Sequence, residues 1–270
     1  ENSFWADKGW LFGLILAVIL GTVIIGGIKS IAKVTSRLVP FMAIIYLVAG
    51  LVIILFHVTD IPDAIIRIIS EAFAPSAVTG GALGALIIGF QRAAFSNEAG
   101  VGSAAIAHSA AKTNHPPSEG FVALLEPFID TVVVCTLTAL CILVSGTWEN
   151  NTYAGIAIVA QAFNDSLPIL GPYLLLVCSL SFAITTLFSL SFFGERCLAF
   201  LIGEKYSFIY RYIYLILILV GSTSSLKFVI SLIDLSYGIM AFPTMISVLI
   251  LSSKIDKKSK QYFKKLNEHI

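Results

Sequence analysis

The chain has 270 residues, 57% of them hydrophobic and 12% charged, with a mean hydropathy of +0.93. Soluble domains carry about 25% charged residues, so this composition excludes a soluble globular protein and points to an integral membrane protein. The net charge of +1 provides no basic surface for nucleic acid.

A spanning helix needs about 20 mostly apolar residues. Taken in chain order, residues 10–27 and 38–56 meet that requirement. Residues 60–78 are mixed in polarity, and Pro62 opens a predicted short helix at the membrane surface. Residues 81–111 are long enough to cross but are interrupted. Residues 121–144 qualify despite Glu126 and Asp130. Residues 154–163 resemble the first surface segment. Residues 169–193 qualify, 208–221 need neighbours to complete a crossing, and 228–251 qualify despite Asp234. The pattern predicts an all-α polytopic membrane protein of about seven spans, one transmembrane domain over 1–270 with a basic tail at 254–270. The cysteines Cys135, Cys141, Cys178 and Cys197 show no CxxC spacing and read as packing residues, not as a disulfide or metal framework.

Loop charges set the orientation. If the spans alternate, one face receives Lys29, Lys33, Arg37, Lys112, Arg196, Lys205, Arg211 and the six lysines from Lys254 to Lys265. The other receives only Lys8, Arg67 and Lys227. The residue 1 end and the 149–153 loop are therefore expected outside, and the tail in the cytoplasm of a plasma membrane.

Within the third span lies Arg92-Ala-Ala-Phe-Ser-Asn-Glu-Ala-Gly-Val-Gly-Ser103-Ala. Serine and asparagine compete for backbone hydrogen bonds, and glycine weakens helices. Non-helical backbone at membrane depth survives only inside protein or beside a water-filled cavity. The run predicts a discontinuous helix, with Ser103 capping its second half. Carbonyls freed near residues 92–95 suit an ammonium group or Na⁺, and N–H groups freed near Ser103 suit a carboxylate. One break thus offers both poles that a zwitterion needs. Phe95, Ser96, Asn97, Ala99 and Gly100 are the candidate substrate residues, with Asn97 as the principal polar contact and Phe95 as a wall. Arg92 and Glu98 are expected to neutralise each other or to touch the ligand.

At these residues the sequence closely resembles the alanine/glycine:cation (sodium:alanine) symporter family. The likeness extends to GGIKSIAKV (26–34), VPFMA (39–43), FIDTVVVCTLT (128–138), GERCL (194–198) and GIMAFP (238–243). It departs where Ala93-Ala94 replaces the usual Gly-Leu and where Ile106-Ala107-His108 stands in place of a frequent proline. The resemblance implies a leucine-transporter-type fold of ten core helices in inverted repeats. It also implies alanine or glycine uptake driven by Na⁺ or H⁺, with no organic cofactor and no covalent chemistry. The seven spans would then be core helices four to ten, and the chain would act together with missing N-terminal helices one to three of the same transporter.

Ionisable residues inside spans are functional candidates because burying them is costly. Glu126 and Asp130, four apart, suggest a cation path or a contact with water, and Asp234 a bond to a neighbouring helix. Thr185 and Thr186 either bond back to their own helix or, as the resemblance implies, offer hydroxyl oxygens to sodium. Glu195-Arg196 reads as a structural ion pair. An intramembrane hydrolase built on Ser103 and His108 fails on spacing, since residues five apart lie on different helix faces. A non-transporting membrane scaffold or decayed transporter fragment is the alternative.

Overall fold

The computed structural model describes residues 8–72, 82–149, 153 and 155–268. Among them every regular element is helical. Five helical stretches are long and apolar enough to cross a membrane: Gly27–Phe56, Pro116–Val144, Leu170–Ile202, Glu204–Thr223 and Leu226–Asn267. Of the other two expected spans, the first is a shorter apolar helix, α1 (Gly9–Ile24), and the third is an interrupted pair, α4 (Ala82–Asn97) and α5 (Ser103–His108). The protein is an all-α polytopic membrane protein.

The amphipathic segments also form helices, α3 (Ile61–Ala72) and α8 (Ile156–Ser166). Residues 73–81, most of the 149–153 loop and His269 lie outside the described residues.

Span boundaries differ from the hydropathy reading in a consistent way. Span two, α2 (Gly27–Phe56), already includes Lys29, Lys33 and Arg37, which were expected in a loop. Lysine and arginine are good helix formers, and a helix satisfies its own backbone whether or not its side chains face lipid. Only Gly27, at φ +69°, marks the corner after α1. Span five, α9 (Leu170–Ile202), runs nine residues beyond its expected end. A short turn, α10 (Glu204–Ser207), then leads into α11 (Ile209–Thr223), and α12 (Leu226–Asn267) carries the basic tail as one continuous helix of 42 residues. Span four is composite: α6 (Pro116–Pro127), a π-helical segment (Phe128–Cys135) and α7 (Thr136–Val144). Pro127 lacks the N–H that would close a turn onto residue 123, and the chain resumes in wider turns.

The chain forms two compact units. Unit 1 holds residues 1–70 and 137–229. Its core is the seam between α2 and α9. Met42, Tyr46, Ala49, Gly50 and Ile53 recur at helical spacing along one stripe of α2, and Leu175, Cys178, Thr185, Phe188 and Phe192 do so along α9. Tyr46 sits between the rings of Phe163 and Phe182, each at 5.9 Å, and its hydroxyl meets Thr138. Cys141 and Cys178 are buried here, with thiols on the carbonyls of Gly50 and Met42. They pack as small residues, whereas Cys135 and Cys197 are exposed.

At one end of unit 1, Arg211 makes a fork-like pair with Glu195 at 2.6 and 2.9 Å and donates to the Ile25 carbonyl at 2.8 Å. This corrects the expected Glu195–Arg196 pair. Neighbours in sequence point to different faces of a helix, so Glu195 reaches across to α11, and Arg196 meets Glu204 at 3.5 Å.

Unit 2 holds residues 71–136 and 230–270. In it α4 and the π segment pack together, as do α5 and α6.

Candidate functional site

The candidate site is the interruption between α4 and α5, within unit 2. Helix α4 ends at Asn97, and three alternate residues then take positive φ: Glu98 at +54°, Gly100 at +81° and Gly102 at +104°. The two glycines fall where the backbone requires them. Glu98 is the non-glycine member of the series, in a region that costs a side-chain-bearing residue of order 1–3 kcal/mol.

Asn97 shapes the break from inside. Its Oδ1 accepts the Ala99 N–H at 2.9 Å, an Asx-type turn, and its Nδ2 donates to Thr131 Oγ1 at 2.9 Å. The side chain is buried, so both contacts serve groups that would otherwise lack partners. One amide N–H and one carbonyl lone pair are left over from these two bonds. Ser96 donates to Asp130 Oδ2 at 2.6 Å, and Thr131 approaches the same oxygen at 3.4 Å. The α4 end is therefore held to the π segment by two side-chain bridges, and the Asp130 carboxylate sits among hydroxyls.

The connecting loop is held by α12. Thr244 Oγ1 lies 3.1 Å from the Val101 carbonyl and 2.9 Å from that of Met240. A Cβ placed on Gly102 would stand 2.6 Å from the same Thr244 oxygen, so the approach of α12 as well as the dihedral requires glycine. Higher on α12, Asp234 meets Arg92 at 3.6 Å and Tyr237 faces Phe95 with ring centroids 5.7 Å apart.

The Arg92–Asp234 contact corrects the expected Arg92–Glu98 pair. Glu98 lies six residues beyond Arg92, past the end of α4 and at φ +54°, so helical spacing does not pair the two. Glu98 lies instead beside Ser103 and within electrostatic range of Glu126.

Helix α5 starts at Ser103, with Gly102 in the cap position, so Ser103 is the first helical residue and not the cap. Its hydroxyl is buried without a well-formed hydrogen bond. At the other end of α5, His108 Nδ1 is 2.7 Å from Glu119 and Nε2 is 3.4 Å from Glu126. Both ring nitrogens of His108 thus face carboxylates.

The predicted residues thus gather on one structure. Arg92, Phe95, Ser96, Asn97, Glu98, Ala99, Gly100, Glu126, Asp130 and Asp234 all lie at the break or on the helices that brace it. Thr185 and Thr186 belong to unit 1. Thr185 Oγ1 donates to the carbonyls of Ser181 and Phe182, both at 3.0 Å, and Thr186 Oγ1 to that of Phe182 at 2.9 Å. These are bonds back to the parent helix. Each uses the hydroxyl proton and leaves the oxygen lone pairs, which are what a hard cation takes. Among the described residues no group of three or more His, Cys, Asp or Glu side chains forms a metal site. Thr131, Thr244, Tyr237 and the His108–Glu119 contact carry no sequence signal, because each matters only through a partner on another helix.

A discontinuous membrane helix, with unwound backbone braced by carboxylates, hydroxyls and a facing threonine, is a recurring feature of secondary-transporter folds. The chain belongs to the sodium:alanine symporter family, whose sequence profile matches residues 1–270. It is similar to the sodium/alanine symporter AgcS of Methanococcus maripaludis, 39% identical over 97% of this chain and 58% of that protein. It is similar also to a transporter of Haemophilus influenzae, 38% identical over 94% of this chain and 57% of the other. A probable sodium/glutamine symporter, GlnT of Bacillus subtilis, is 33% identical over 97% of the chain and 55% of its own length. The chain spans about half the length of the curated relatives it matches.

Proposed function

We propose that this protein serves the symport of a small neutral amino acid, alanine or glycine, with Na⁺ (or H⁺) across the plasma membrane. The observation that carries the reading is the break itself, where three positive-φ residues and an Asn97-centred turn hold unwound backbone open. The last carbonyls of α4, at the negative end of its dipole, suit an ammonium group. The start of α5 presents N–H groups suited to a carboxylate. Phe95, Ser96, Asn97, Ala99 and Gly100 surround the amino acid in this reading, with Phe95 against its side chain. Sodium takes the hydroxyl oxygens of Thr185 and Thr186 together with backbone carbonyls. Asp130, set among the hydroxyls of Ser96 and Thr131, provides a second resting place along the cation's path.

The similarity to a glutamine symporter makes side-chain size the discriminating variable. Proteoliposomes bearing the protein are loaded without sodium and given an inward Na⁺ gradient. Uptake of radiolabelled alanine is then measured against unlabelled glycine, alanine and glutamine as competitors. Sodium-dependent uptake competed by glycine and alanine is expected. Competition by glutamine alone would reject the substrate assignment, and uptake indifferent to both Na⁺ and pH gradients would reject coupled symport.

A further inference from the structure

Away from the break, where α6 begins and α12 leaves its apolar stretch, two adjoining cavities open in unit 2. The first has a volume of 620 Å³ and is walled by apolar groups of Phe121, Leu124, Leu251 and Ile255, with Gly120 in its floor. Lys254 and Lys258 line its rim. The second, of 570 Å³, is polar and holds His115, Lys258, Lys264 and Lys265, with Glu268 as its one carboxylate among the described residues. Pro116, Pro117 and Lys258 belong to both. Ring contacts of Tyr262 with His115 and Phe121, and of Phe263 with Phe121 at 5.4 Å, close α12 onto α6 beside them.

On α12, Leu251, Lys254, Ile255, Lys258, Tyr262 and Lys265 follow one another at intervals that keep them on one face. That stripe changes from apolar to basic along its length. The change occurs where the last apolar turns meet the first lysines, which is the depth at which hydrocarbon gives way to water. Among the described residues, Lys260 has an ion pair with Asp256 at 2.7 Å. Among the described residues Lys254, Lys258, Lys264 and Lys265 have no carboxylate within 4.0 Å, and these four lysines face the cavities with Glu268 as the one carboxylate in the lining.

We propose that these joined cavities bind one anionic phospholipid, its phosphate on Lys258 with Lys264 and Lys265, and an acyl chain along Phe121, Leu124 and Ile255. A free phosphate would use the basic half and leave the apolar half without purpose. A zwitterionic lipid would fill the apolar half and leave the lysines uncompensated. Only an anionic amphiphile matches both halves at this depth.

The test counts lipids held by the purified full chain in detergent micelles by native mass spectrometry, with phosphatidylglycerol or phosphatidylcholine added. One phosphatidylglycerol retained in preference to phosphatidylcholine is expected. K258A should lower its retention about five-fold, while K257A, which removes the same charge outside both cavities, should change it less than two-fold. Gly120→Leu fills the apolar half without touching a lysine. The position is helical, and a Cβ there meets nothing within 4 Å, so folding is preserved while retention falls. Equal losses for K257A and K258A would mean diffuse attraction to a basic surface and overturn the proposal. So would full retention in Gly120→Leu, equal retention of phosphatidylcholine, or displacement of the lipid by millimolar inorganic phosphate.

Discussion

Replacing Gly102 by alanine separates two demands that meet at one backbone position. The first is conformational: φ is +104°, and holding a residue with a Cβ there costs about 1–3 kcal/mol. The second is steric, because the new methyl would stand 2.6 Å from Thr244 Oγ1. Rotation of Thr244 relieves that contact but loses its 3.1 Å hydrogen bond to the Val101 carbonyl, about 0.5–1.5 kcal/mol. The single substitution should therefore destabilise the break by about 2–4 kcal/mol. Thr244→Ala alone should lose only the hydrogen-bond contribution. In the double variant the clash is gone and the bond is already absent, so its penalty falls short of the sum of the singles by about 0.5–1.5 kcal/mol. Apparent melting temperature in detergent and alanine affinity by titration, measured for all four proteins, form the cycle. Gly102→Ala should lower the melting temperature by on the order of 5–10 °C. Strict additivity would show that α12 does not press on the break, and a Gly102→Ala protein that melts and binds like the parent would refute both demands.

Four further outcomes are expected. Asn97→Ala removes two internal hydrogen bonds and should weaken alanine binding and the melting transition by about 1–3 kcal/mol; a variant unchanged in both would remove Asn97 from the site and from its scaffold. Arg211→Lys cannot keep the two-pronged contact with Glu195 and the bond to the Ile25 carbonyl at once, and should lower stability by about 1.5–3 kcal/mol, read as a loss of melting temperature that exceeds that of Arg196→Lys. Combined Thr185→Val and Thr186→Val keeps side-chain shape and should raise the Na⁺ concentration for half-maximal alanine uptake; a sodium curve that overlays the parent would leave these hydroxyls with only their bonds to helix α9. For orientation, cysteines at Tyr153 and Lys260 in intact cells should react with an impermeant reagent at 153 and stay protected at 260, and the reverse pattern would invert the topology.

The long apolar segments could be read from the sequence because hydropathy reports directly on the solvent a segment faces. Their ends could not. Lys29, Lys33 and Arg37, and likewise Lys254 to Lys265, stop a hydrophobic run without stopping a helix. The break between α4 and α5 was legible from Ser96, Asn97, Gly100 and Gly102, since each has a local reason to leave the helix. The bracing was not. Arg92 chose Asp234 over Glu98, and Glu195 chose Arg211 over Arg196, because a charge pairs with what packing brings near. The π turns at Phe128–Cys135 have no composition of their own, yet they set the register that brings Asp130 to Ser96 and Thr131 to Asn97.

Helix α12 extends 42 residues, about 63 Å at 1.5 Å per residue, roughly twice the hydrocarbon thickness of a bilayer. Its last sixteen residues are therefore a stiff lever about 24 Å long and not a loose tail. A rod of that length converts small changes of angle into displacement: leaning by about 10° shifts its tip by about 4 Å. The lysines it carries are fixed in height and azimuth relative to Thr244, the residue that presses on the break. Any lean of the transmembrane shaft is thereby written as a movement of charge at the membrane surface, and a pull on that charge is felt at the shaft.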